Sequence, residues 1–195
     1  MPIKNYSNKS KKLIIYTAVP FFDTWPKKFE LDTFKYYGLD VELWSTAEIF
    51  YKPENIKKAS SGSREYLYKD LDVIKIKNFV DLEKKVASLD SSAVVCIMTL
   101  GSINNNTFNN PELDIFNKYK IKYVIHHLAP HPVVPNVWFK FKLYFRLLQK
   151  RLNNAKKKPS LIIGTGTEGR KQAFKIYKKN FIYKSLPSFN ILWSK

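Results

Sequence analysis

The stretch "SLIIGTGTEGRKQAF", residues 160–174, sets Gly164, Gly166 and Gly169 after an apolar run and ahead of a helical pattern. This is the spacing of a dinucleotide fingerprint, in which glycines allow a tight turn and close approach to a pyrophosphate. Two features oppose that reading. Glu168 puts a negative charge where phosphate would lie, and no acidic residue follows it to hold a ribose. Gly164, Thr165, Gly166 and Glu168 are therefore expected to form a glycine-rich turn lining a pocket. "VIHHLAPH" holds all three histidines. Neighbouring side chains on a strand point to opposite faces, so His126 and His127 should not act together. His127 is the candidate base at a strand end, with His126 and His131 as binding groups; the alternative is histidines hydrogen-bonded within a proline-rich loop. Asp23 follows an apolar run, where it could serve as a general base or cap a helix. Phe22 and Trp25 beside it would suit the apolar face of a sugar or a core. Gly101 and Ser102, in "TLGSINNN", could offer backbone amides to an anion or belong to a solvated loop. With no CxxC and no HExxH, no metal site is expected.

These residues need a frame, and the chain supplies one. Short apolar runs alternate with amphipathic segments. The strands are expected at 12–19, 40–46, 73–78, 92–100, 121–128 and 160–165, with a last run "FIYKSL". Helices are expected in "DTWPKKFELDTFKYYG", closed by Gly38, in "DLEKKVASL", in "NPELDIFNKYK", from about 137 to 157, and in "GRKQAFKIYKK". The segment 48–70 reads as irregular. The runs at 92–100 and 121–128 are apolar enough to be buried on both faces. Such alternation predicts an α/β, Rossmann-like fold: a mainly parallel sheet of about six strands, in order 3-2-1-4-5-6 or close to it, flanked by helices on both faces. The strand-to-helix loops hold the histidines and the glycine run, and ligands of such sheets bind beyond the carboxyl ends of the strands.

At 195 residues the chain fits one Rossmann-like domain over 1–195, with 1–11 a flexible basic N-terminus. Hydrophobic residues make up 45% and aromatics 15%, a globular composition. The formal net charge of +18 should attract anionic partners, although the Lys-, Asn- and Ile-rich composition is also what an AT-rich coding sequence produces. The single cysteine, Cys96, lies in "AVVCIM" and reads as a core hydrophobe in a reducing compartment. The first apolar run is too short to span a membrane. A cytoplasmic protein is expected, peripheral to the inner membrane. In the 137–157 helix, Trp138, Phe141, Phe145, Leu148 and Leu152 form an apolar stripe expected to cover the sheet, opposite a basic face that includes Lys156–Lys158. Nucleic acid is not an expected partner, because the aromatics follow core periodicities and are not displayed for stacking.

The segments "LIIYTAVPFFDTWPKKFELDTFKYYGLDVELW", "VIHHLAPH" and "FIYKSLPSFNILW" together resemble the N-terminal region of glycosyltransferases encoded with bacterial capsule and O-antigen genes. The likeness covers most of the chain as overall pattern, without a diagnostic motif. It implies a GT-B-like N-terminal half that contacts a sugar or polyprenyl-linked acceptor in surface-polysaccharide or lipopolysaccharide biosynthesis. A missing C-terminal domain or partner chain would then hold the nucleotide-sugar donor, and this chain alone binds no cofactor. Such relatives carry acidic residues near the segment matching "SFNILW", where this sequence has Asn190. In that setting Asp23 or His127 would deprotonate the acceptor hydroxyl. Two other readings are a nucleotide- or NAD(P)-binding oxidoreductase-like domain using the glycine run, and a non-catalytic basic module for membrane lipid or nucleic acid.

Overall fold

The computed structural model describes residues 11–21, 31–61, 72–100, 110–126, 157–164 and 181–185, together with 148, 152, 170, 171, 173, 174 and 177. Seven strands form one sheet: β1 (Lys12–Thr17), β2 (Asp40–Ser45), β3 (Val73–Lys75), β4 (Val94–Thr99), β5 (Lys122–His126), β6 (Leu161–Gly164) and β7 (Ile182–Ser185). Their order is β3-β2-β1-β4-β5-β6-β7, and every neighbouring pair is parallel. The Rossmann-like expectation holds, and "FIYKSL" supplies a seventh strand at the far edge. Chain progress runs one way from β1 to β3 and the other way from β4 to β7. That reversal makes the gap between β1 and β4 a topological switch point, the position at which open parallel sheets bind ligands beyond their carboxyl edge.

Between the strands lie α1 (Leu31–Tyr36), α2 (Ala47–Phe50), α3 (Pro53–Ser61), α4 (Phe79–Ala87) and α5 (Pro111–Lys118). Helical residues are also described at 148 and 152, and at 170, 171, 173, 174 and 177. The sheet buries its two faces separately, as alternation along a strand requires. One face carries Ile14, Tyr16, Trp44, Val95, Ile97, Tyr123, Ile125 and Ile162, under Leu82 and Val86 of α4, Leu113 and Phe116 of α5, and Ala173 and Tyr177. The other carries Ile15 and Leu43 under Leu31 of α1, with Phe21. On that second face Val94, Cys96 and Met98 of β4 and Val124 of β5 are only half-buried. The expectation that β4 and β5 are buried on both faces is thus corrected. Their uniformly apolar sequence conceals a strict alternation, because one face lies under α5 while the other is less completely covered.

Three further boundaries differ from the sequence reading. The segment 48–70, read as irregular, contains α2 and α3; Pro53 opens α3 with its fixed φ, and Glu54 meets the positive end of the helix. One turn of α2 is too short to show a periodicity, and α3 carries too few apolar residues for a clear stripe. Asn78, placed in a strand, instead caps α4 by accepting the Asp81 N–H at 2.8 Å. The two described members of the apolar stripe from 137 to 157, Leu148 and Leu152, are 41% and 68% exposed. At these two positions the stripe does not cover the sheet. The close of α1 is as expected: Gly38 adopts φ 75°, with the Gly38 N–H on the Lys35 carbonyl and the Leu39 N–H on the Phe34 carbonyl. Only a residue without Cβ takes that turn without strain.

Candidate functional site at the β1/β4 switch point

The carboxyl ends of β2, β1 and β4 finish in hydroxyl side chains, Ser45 and Thr46, Thr17, and Thr99. Strand alternation alone would put Thr99 on the same face as Ile97, away from Thr17. The register changes at the last step: Tyr16 pairs with Ile97, but Thr17 pairs with Thr99, which leaves Met98 as an extra residue in β4. This bulge turns Thr99 onto the Thr17 side, and the two hydroxyl oxygens come within 2.7 Å. The Ala18 N–H donates to Thr99 Oγ1 at 2.9 Å, and the Val19 N–H to Thr17 Oγ1 at 3.2 Å. On the β2 side, Ser45 Oγ donates to the Val19 carbonyl at 3.3 Å. The Thr46 N–H donates to the Thr17 carbonyl at 2.9 Å. Thr17, Ser45 and Thr46 are buried, and Thr99 is half-buried.

Of the sequence-predicted site residues, His126 and Gly164 fall in the described part. His126 ends β5 half-buried and stands opposite Ile163 of β6; Gly164 ends β6 opposite Ser185. Both lie on the edge where β1 and β4 end, since all these strands are parallel. The glycine at 164 has a local reason: a Cβ there would come within 2.6 Å of the Tyr183 hydroxyl on β7. A side chain at 164 would require the Tyr183 ring to shift. Burial pushes the Tyr183 phenol up from its ordinary value, and the Arg170 charge partly offsets this. Phe22, Asp23, Trp25, Gly101, Ser102, His127, His131, Thr165, Gly166 and Glu168 lie outside the described residues.

Sequence reading missed a second set of polar groups beneath the same edge. Glu112, in the first turn of α5, is fully buried. Its spacing of one residue from Leu113 and four from Phe116 puts it on the apolar side of the helix, and that spacing was the available signal. Across from it, Thr46 Oγ1 donates to the Tyr16 hydroxyl at 2.9 Å. Burial drives the Tyr16 phenol well above its usual range, the Glu112 charge adds to this, and the Thr46 bond works against it. Tyr177 is raised for the same two reasons, burial first and then nearby negative charge from Tyr123 and Glu112. Lys157, expected on a solvated basic face, is instead 2% exposed. Its ammonium reaches the Asn110 carbonyl at 3.1 Å and Asp114 Oδ2 at 3.5 Å. The sequence placed it in a charge run, but the chain has left the helix by 157 and lays this side chain along α5. Burial lowers its pKa, opposed by Asp114 and Glu112.

Cys96, on the half-buried face, has its thiol pushed up to about 11 by burial and is not activated. Among the described residues no group of three or more His, Cys, Asp or Glu is placed to hold a metal, and no helix is long and apolar enough to cross a membrane. No family model matches the chain, and neither a curated protein nor a solved structure matches it.

Proposed function

We propose that this chain is a glycosyltransferase-like domain of the GT-B N-terminal type, working in bacterial surface-polysaccharide assembly and holding a sugar or polyprenyl-linked acceptor at the carboxyl edge of its sheet. The observation that carries the reading is the switch point itself. The reversal between β1 and β4 marks where ligands of open parallel sheets sit, and the edge there ends in uncharged hydroxyls able to exchange hydrogen bonds with a polyol. The resemblance of the β1 and β5 segments to capsule and O-antigen glycosyltransferases supplies the reaction class. In this reading Asp23 or His127 takes the proton of the acceptor hydroxyl, and the nucleotide-sugar donor is held by a second domain or partner chain.

Chemical-shift mapping of the labelled chain against neutral mono- and disaccharides, nucleotide sugars and NADP tests the proposal. A saccharide is expected to move the amides around Thr17, Thr99 and His126, with weak affinity in the absence of the donor-binding half. Tight NADP binding that Gly166→Val abolishes would overturn it. A membrane-surface role is a compatible second reading, favoured by the exposure of Leu148 and Leu152.

A further inference from the structure

We draw no further inference here: the strongest candidate, the cluster of the buried Lys157 and Glu112 with Asp114 at the start of α5, is an acidic helix start already occupied by the chain's own ammonium, and nothing else among the described residues points to a ligand there.

Discussion

At the scale of single residues, charge balance on the sheet is set by small local groups. Lys12, at the start of β1, reaches Glu42 on the adjacent β2 at 2.6 Å, and the Trp44 indole N–H gives Glu42 a second bond at 2.8 Å. Burial pushes the Glu42 carboxyl up, but the bonds from Lys12 and Trp44, with the Lys12 and Lys85 charges, outweigh it and hold the group below its ordinary value. A carboxyl lowered on folding contributes stability above its unfolded pKa, near 4.3, and loses that contribution as pH falls through the folded value. Glu42→Gln should then cost about 0.5–1 kcal/mol at neutral pH. The difference from the unaltered chain should vanish when both are unfolded in urea well below pH 4. A gap that persists in acid would mean that Glu42 acts through packing alone. The sequence showed Lys12 and Glu42 as ordinary charges, because the pair exists only once β1 and β2 align with Ile14 opposite Glu42. Thr17 and Thr99 were hidden in the same way. Each sits in a run read simply as strand, and their meeting depends on a one-residue bulge that no single-strand pattern encodes.

Elements were more legible, and where they were misread a side chain was doing something the local pattern does not record. Strand positions followed from apolar runs, and the turn at Gly38 from its glycine. The start of α5 shows the limit. Pro111 announced a helix start, but Glu112 and Lys157, forty-five residues apart in the chain, are both buried beside that start. Acidic groups in a first turn are favoured by the helix dipole; a buried ammonium there is tolerated because Asp114, the Asn110 carbonyl and the Glu112 charge surround it. Removing one member should expose the cost of the other. Lys157→Met is expected to lower stability by about 1 kcal/mol, since the Asn110 carbonyl loses its ammonium donor and Asp114 its ion-pair partner. Adding Asp114→Asn should cost less than it does in the unaltered chain, as a double-mutant cycle in urea can measure. Additive losses would show that the two charges do not feel one another.

For the whole molecule, the strand order was readable because physics leaves few ways to assemble alternating strands and helices, whereas the ligand was not, because the loops that finish the carboxyl edge are specified by chemistry and not by periodicity. Charge is the other global property. A net +18 at neutral pH creates a field that draws the protein to any extended anionic surface. Field alone gives loose, salt-sensitive adsorption; apolar insertion is what holds a protein at a bilayer. Leu148 and Leu152 provide a candidate for that second term. Both are helical and exposed, they stand four residues apart, the spacing of one helix side, and Lys150 and Arg151 lie between them in the sequence. The chain should co-sediment with vesicles containing phosphatidylglycerol, much less with purely zwitterionic ones, and high salt should release most of it by screening. Leu148→Ser with Leu152→Ser leaves the charge unchanged, so a purely electrostatic association would be unaffected. Loss of the two apolar side chains from the acyl boundary should reduce partitioning at least about tenfold. Equal binding by the variant would confine the membrane to a counter-charge, and no binding by the unaltered chain would assign the basic surface to composition.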